Sequence, residues 1–443
     1  SIKHSVRGTE TRYRREITLL SHTRRWCFNG HCDPLCCVCL FHQKVIKMFD
    51  LNRIQTALRE FHFDGWLLYD FRGSNVLAQR ILNMPDGYAG SRRYFYFIPA
   101  EGAPTRLVHR IESEVLDHLP GDKSIYLRWQ ELESAVRNVV TGHNIIAMEY
   151  SPRNGNPYIS RVDAGTIELV RSFGCEVVSS GDLISLFEST LTDAQWTSHL
   201  EASEVTESAF SRSWKYIAEQ VRTHGFVEEK AVSDEIMNHF AEHNMTTYHP
   251  PIVGMDSNSG NPHYETGTGV ATRIVDGSFV LIDLWAKLDK PGAVYSDLTR
   301  TGYVGTKVPE EFTRVFNIVA EGRDAGIQCV RSAFAEGRQL QGWEVDDAVR
   351  SVIEAAGYGS EFCHRTGHNM AQETHGNGTH IDNLETHETR RILPRTLFTI
   401  EPGIYLPSFG VRSEVDVFIH ADGTVQVTGG PVQTAIVPIS SEY

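Results

Sequence analysis

Carboxylates interrupt the most apolar runs of this 443-residue chain, and that feature constrains its fold most tightly. A buried carboxylate costs several kcal/mol, on the order of a folded domain's margin, unless a hydrogen-bonded partner or a cation compensates it. Strands carrying such residues must therefore converge on positive charge. Asp283 lies within "SFVLIDLW", where the two-residue period of a strand gives it one face with Phe279, Leu281 and Trp285. Glu401 follows "LFTI" and precedes Pro402 and Gly403, which places it at a strand end held by a turn. In "VRSEVDVFI" the same period sets Arg412, Glu414 and Asp416 on one face, and Val411, Ser413, Val415 and Val417 on the other. A group of acids turned toward an interior requires cations.

Histidines supply the complement. "HRTGHNMAQETH" contains His364, His368 and His375, and His263 stands upstream in "GNPHYETG". Any one of them alone reads as an ordinary satisfied polar residue. Their conjunction with the acids points to a metal site. Oxygen ligands with one imidazole suit Mn²⁺, Co²⁺ or Zn²⁺ rather than copper or an iron–sulfur cluster. Two such ions sharing bridging carboxylates about 3.5–4 Å apart would neutralise the acids and polarise a carbonyl, the arrangement of a hydrolase.

Periodicity supplies an α+β frame for these residues. After Met48, Phe49, Ile54, Leu58 and Phe61 recur at helical spacing, and "DGWLLYD" follows as a short buried strand. Residues 94–99 and 105–109 flank "AEGAP" as a hairpin, and a strand at 145–149, a helix near 164–173 and the strand "CEVVSS" complete a smaller α/β domain over 48–189. Residues 190–443 form a second domain. It opens with a long amphipathic helix over 194–223, with Trp196, Leu200, Val205, Ala209, Trp214, Ile217 and Val221 along one side. A helix marked by Val232, Ile236 and Phe240 stops at Asn244, and two β-rich runs follow. Helices from Pro309 and from Trp343 and the runs "TLFTIEPGIYL" and "VRSEVDVFIH" repeat that order, giving two similar lobes.

Composition excludes other classes. With 42 Lys and Arg against 56 Asp and Glu, the net charge of −14 disfavours nucleic acid or a polybasic membrane contact. No apolar run approaches the roughly 20 residues of a spanning helix, and the start lacks a secretory signal pattern, so the expected compartment is the cytoplasm. Cys175, Cys329 and Cys363 are dispersed, as suits reduced thiols. The other five cysteines, Cys27, Cys32, Cys36, Cys37 and Cys39, fall within residues 1–47, an Arg- and Cys-rich segment without periodicity. We read it as an unstructured or non-native extension, with a zinc site as the alternative.

In chain order, "LID" with Asp283, "SDLTRTGYVG" with Asp297, "GH" with His368, "TIEPGIY" with Glu401 and "RSEVDV" with Glu414 resemble the five ligand motifs of the pita-bread metallopeptidases, which include aminopeptidase P, prolidase and methionine aminopeptidase. The likeness covers the second domain, and the α/β unit before it resembles the creatinase/prolidase N-terminal domain. The resemblance implies that Asp297 and Glu414 bridge two divalent ions, manganese first and cobalt or zinc as alternatives, that Asp283 binds one ion, and that His368 and Glu401 bind the other. It further implies catalytic roles for the non-ligand His263 and His375, substrate contact by His364, positioning by Arg412, cleavage of peptide bonds adjacent to proline, a small proline-containing peptide as substrate, and a homodimer. The chain departs from the family at Ala371 and Gly376, and "AKLDKPG" and "GNGTHIDNLETHETRR" lengthen two connections, which bears on substrate size. A metal-independent creatinase-like amidinohydrolase and a non-catalytic interaction module share the fold, but both dispense with the ligands that this chain keeps.

Overall fold

The computed structural model describes residues 49–440 apart from positions 86 and 89. The N-terminal segment, with its zinc alternative and the start at Met48, lies outside the described residues.

A six-stranded mixed sheet comes first, in the spatial order Asp122–Tyr126, Thr105–His109, Tyr94–Pro99, Gly65–Asp70, Ile145–Met148 and Glu176–Ser179. The "AEGAP" connector closes the expected antiparallel hairpin, with Phe97 opposite Thr105. Every residue of Gly65–Asp70 and Tyr94–Pro99 is buried. Trp66, Leu68 and Tyr96 pack with Ile54 and Leu58 of the helix Leu51–Glu60 on one side. Leu67, Phe95 and Phe97 pack with Leu132 and Val136 of the helix Trp129–Val140 on the other. A strand covered on both faces loses its polar half, which is why "WLLY" and "YFYFI" read as continuous apolar runs.

The long helix spans Asp193–His224. Thr192 and Gln195 cap its start reciprocally, each side-chain oxygen accepting from the other's backbone N–H at 3.3 and 3.0 Å. It ends at Gly225, whose φ of 83° is left-handed and free of strain only for glycine. Its buried face differs from the expected one. Leu200, Val205 and Val221 are half-buried, whereas Ser198, His199, Ser203, Thr206 and Ser213 are covered beside Ala209, Trp214 and Ile217. Thr206 shares a hydrogen bond with Ser296 at 2.9 Å, and His199 meets the Tyr295 carbonyl at 2.8 Å and the Thr428 hydroxyl at 2.7 Å. Apolar periodicity cannot find a face whose hydroxyls are satisfied by the helix's own carbonyls, as at Ser203 and Ser213, or by a neighbouring strand, as at Thr206.

That neighbour is the antiparallel pair Phe279–Leu288 and Ser296–Val304, in register with Asp283 opposite Thr299 and Trp285 opposite Asp297. Opposed residues share a face, so Asp283 and Asp297 lie diagonally on the same side. Val280, Ile282, Leu284 and Ala286 take the reverse side into the core that includes Trp214 and Ile217 of the long helix.

The runs "TLFTIEPGIYL" and "VRSEVDVFIH" each form two strands rather than one. Leu397–Ile400 pairs with Val415–Ile419, while Gly403–Tyr405 pairs with Gly410–Arg412 in a separate sheet. Pro402 has no N–H with which to continue the first ladder. Glu401 and Glu414 consequently stand at the switch between sheets, with the Glu414 N–H directed at the Thr299 carbonyl at 3.4 Å. Behind them pack the helices Glu310–Ala335, for which Pro309 is the N-cap residue, and Gly342–Ala355. No described helix is long and apolar enough to cross a membrane.

Candidate metal centre

Asp297, His368 and Glu414 are buried, and their potential ligand atoms all lie within 4.8 Å of one another. His368 Nε2 is 3.3 Å from Glu401 Oε1 and 3.7 Å from Asp297 Oδ2. Asp283 adjoins this group, and its Oδ2 accepts from Arg412 Nη2 at 2.5 Å. The five residues expected as ligands thus face one another.

Local packing explains their positions. A Cβ at Gly367 would lie 2.0 Å from the Thr399 carbonyl oxygen, so only glycine lets the "GH" segment sit this close to the strand Leu397–Ile400. The His368 N–H then donates to Thr399 Oγ1 at 3.0 Å, and the Thr399 N–H to the His368 carbonyl at 2.9 Å. Hydroxyls orient the acids: Thr399 donates to Glu401 Oε1 at 3.1 Å, and Thr299 to Glu414 Oε2 at 2.7 Å. Asp416 shares the expected face but serves as support, accepting from Ser296 Oγ at 3.0 Å and from the Asp297 N–H at 3.2 Å.

Electrostatics shows what this arrangement lacks without a cation. Burial, and then neighbouring acids, push Asp297 and Glu414 well above the ordinary carboxylate range. Burial raises Glu401 to about 7 and Asp416 to about 8. Asp283 is also raised by burial, with Arg412 opposing. Carboxylates crowded in this way hold protons unless a cation takes their place, and four acids with one imidazole form a donor set fit for hard or borderline divalent ions.

Around the acids runs a directional relay. Arg412 Nη1 donates to the Tyr405 hydroxyl at 2.8 Å, and Tyr405 lies 2.7 Å from His364 Nε2, whose Nδ1 is 2.7 Å from the Arg365 carbonyl. Burial, then Arg412, holds His364 down to about 3, so its ring is neutral at pH 7. A carbonyl only accepts, so Nδ1 carries the proton and Nε2 accepts from Tyr405. Both nitrogens of His364, the expected substrate contact, are therefore engaged within the protein. His375 instead reaches solvent, with its ring 4.3 Å from that of His368 and edge-on to it. The protein packed around it, then Arg365, keeps it down to about 4. His263 is exposed, and its imidazole favours the charged form of Asp283.

Sequence reasoning missed Tyr405, although it stands in the quoted "EPGIY". It also missed Arg365, which meets the Tyr158 hydroxyl of the first sheet unit at 3.0 Å and for which the local sequence offers no signal. A second grouping, His239, Glu242 and His243, already holds a cation, since Arg212 pairs with Glu242 and Glu235. A cleft of about 400 Å³ touches His375, whereas a larger one of about 900 Å³, lined by Phe71, Arg92, Tyr126 and Trp129, includes none of the expected site residues.

Fold and centre together define a metal-dependent hydrolase of the pita-bread type. The chain belongs to metallopeptidase family M24, which it matches over residues 198–421. An uncharacterized peptidase of Staphylococcus haemolyticus is 26% identical over 348 residues, covering 74% of this chain and 90% of that protein. A protein of Mycoplasma pneumoniae named "Putative Xaa-Pro aminopeptidase" is 34% identical over 175 residues, 38% of this chain; the match spans less than half, 44%, of that relative's length. Among solved structures, the dipeptidase PepE from Mycobacterium ulcerans superposes with a TM-score of 0.60 at 18% identity, covering 88% of this chain and 97% of that one. The Xaa-Pro dipeptidase from Bacillus anthracis gives 0.52 at 21% identity, covering 87% and 98%. At such identities the likeness is one of fold.

Proposed function

We propose that this protein is a binuclear metal-dependent peptidase that cleaves bonds adjacent to proline in small peptides. The observation that carries this reading is the cluster of Asp297, His368 and Glu414, with Glu401 3.3 Å from His368 and with Asp283 close enough for its charge to raise Asp297, Glu401 and Glu414. Asp297 and Glu414, nearest the middle, would bridge two divalent ions, manganese being the first candidate; Asp283 would hold one ion and His368 with Glu401 the other. Such ions supply Lewis acidity at the scissile carbonyl and make water a better nucleophile at neutral pH.

The remaining chemistry belongs to the side chains. His375, neutral and open to solvent beside His368, offers an N–H to the negative charge that develops on the carbonyl oxygen, a donor worth more in the transition state than in the ground state. Arg412 fixes Asp283, and through Tyr405 it fixes His364. An Xaa-Pro amide is tertiary and has no N–H to satisfy, so an apolar wall suits it better than a hydrogen-bond acceptor, and the rings of Tyr248 and Tyr295 supply one beside His375. The six-stranded unit is read as a creatinase-type domain. A reducing cytoplasm suits the free Cys175, Cys329 and Cys363.

The test is hydrolysis of Xaa-Pro dipeptides and Xaa-Pro-Yaa tripeptides by protein loaded with Mn²⁺, Co²⁺ or Zn²⁺, with metal content measured in parallel. Proline-dependent turnover at two ions per chain is expected. Stable folding without metal, with turnover of an amidine substrate instead, would favour the creatinase alternative.

A further inference from the structure

Gly376, one of the positions at which the chain departs from the family, follows His375 directly, and Gly378 stands two residues further on. Neither has a positive φ, so backbone conformation does not require glycine at either position. Space does. A Cβ at Gly376 would lie 2.3 Å from Asn369 Oδ1, and one at Gly378 would lie 2.6 Å from Asn369 Cγ and 2.5 Å from the Ser189 side chain. Both glycines therefore make room for one residue, the neighbour of His368.

Asn369 is 1% exposed, and each of its four polar atoms has a partner. Its N–H donates to His380 Nδ1 at 3.1 Å, and its Nδ2 donates to the Leu397 carbonyl at 2.9 Å. Its carbonyl accepts from the Gly376 N–H and its Oδ1 from the Gly378 N–H, both at 2.8 Å. The first two bonds fix Asn369 to its surroundings, and the last two draw back the chain that leaves His375. Residues 371–375 form the intervening loop. Its incoming limb is held independently, by the Tyr295 N–H on the Ala371 carbonyl at 3.0 Å and by Lys287 Nζ on the Gln372 carbonyl at 2.5 Å. On the outgoing limb Arg390 takes the carbonyls of Asn377 and Gly378 at 2.7 Å each, which keeps the shape of the loop, while Asn369 sets how it sits against His368. The backbone bond to Gly376 alone would let the loop pivot, and the side-chain bond to Gly378 removes that freedom. The ring of His375 accordingly stands edge-on to that of His368 at 4.3 Å.

Resting on the peptidase reading above, we propose that Asn369 is a positioning residue for His375: its amide, seated against Gly376 and Gly378, fixes that imidazole beside the metal ligand His368. A donor that must meet charge developing on a single atom is sensitive to its placement, an error of about 1 Å costing up to about 10²-fold in rate.

The experiment measures kcat, KM and metal content with Gly-Pro and Ala-Pro-Gly in metal-loaded wild type, Asn369→Ala, Gly376→Ala, His375→Ala and the double variant Asn369→Ala/His375→Ala. Asn369→Ala should keep its ions and lose about 10–100-fold in kcat with little change in KM. In the His375→Ala background the same substitution should cost about threefold at most, because a residue that acts through His375 has nothing left to place. Gly376→Ala, which crowds the amide from the other side, should lower kcat in the same way, and it takes the place of Asn369→Ala in the cycle if that variant does not fold. A fall of equal size in both backgrounds, or a loss of metal in step with activity, overturns the proposal while leaving the peptidase reading in place. Wild type that cleaves neither peptide refutes the peptidase reading instead, and hydrogen exchange at the Gly378 amide then decides the clamp. Faster exchange in Asn369→Ala than in wild type upholds it, and equal exchange overturns it.

Discussion

Arg412→Met should destabilise the metal-free protein far more than the metal-loaded one. The arginine is 4% exposed, and its guanidinium donates to Asp283, to the Tyr405 hydroxyl at 2.8 Å and to Thr299 Oγ1 at 3.1 Å. Methionine keeps much of the volume and provides none of the donors. Breaking a buried ion pair by removing one partner costs about 3–5 kcal/mol, because the other charge is left uncompensated. With an ion bound to Asp283 that charge is compensated independently. The loss then shrinks to that of the hydrogen bonds to Tyr405 and Thr299, about 1–2 kcal/mol together. At roughly 2–4 °C per kcal/mol for a unit of about 250 residues, melting should fall by roughly 6–20 °C in the presence of chelator and by roughly 2–8 °C with Mn²⁺. Differential scanning calorimetry of both proteins under both conditions gives the comparison. Equal shifts with and without metal would refute the reasoning, since they would mean that Arg412 and the ion do not compensate the same carboxylate.

Three further outcomes follow from the same geometry. Glu414→Gln should fold but lose turnover and bound metal, because an amide keeps the Thr299 hydrogen bond and supplies no charge; turnover within a few-fold of wild type at unchanged metal content would remove this residue from the bridge. His375→Ala should keep its ions and lose about 10²–10³ in kcat, the scale of one lost oxyanion donor, whereas His368→Ala should lose an ion in a metal titration; the reverse pattern would exchange their roles. Glu401 titrates near 7 in the metal-free fold against 4.5 unfolded, so the folded state binds the proton more tightly, and that stabilisation, present below pH 4.5, is lost as pH rises through 7. Removing Glu401 also relieves the neighbouring Glu414 and Asp297, which its charge pushes up, so chelated Glu401→Gln should gain on chelated wild type as pH rises from 4.5 to 8, and a flat difference in denaturant midpoints would contradict this.

The acids of the centre were legible because a carboxylate in a buried strand is costly and stands out against its neighbours. Asp283 between Ile282 and Leu284, and Glu401 after "LFTI", have no bland place in a fold, and the structure turns both toward Asp297 and His368. The alternation in "VRSEVDV" also survives, since Val411, Val415 and Val417 enter cores while Arg412, Glu414 and Asp416 face the centre. What stayed hidden is of another physical kind. Thr299 and Thr399 are ordinary strand residues until a particular register sets their hydroxyls against Glu414 and Glu401. Pro402 signalled an end to the first strand, but not that Gly403–Tyr405 would pair with Gly410–Arg412 in a separate sheet.

Arg365 and Tyr158 join across 207 residues, a separation at which no local pattern operates. The "AKLDKPG" connection falls between these cases. Its length marked it as a departure, but what the length does depends on Lys287 pairing with Thr246, two residues ahead of Tyr248. A sequence therefore shows where such a site has been altered well before it shows toward what: the alteration is local, and the side chains it recruits come from wherever the extended strand finds a partner.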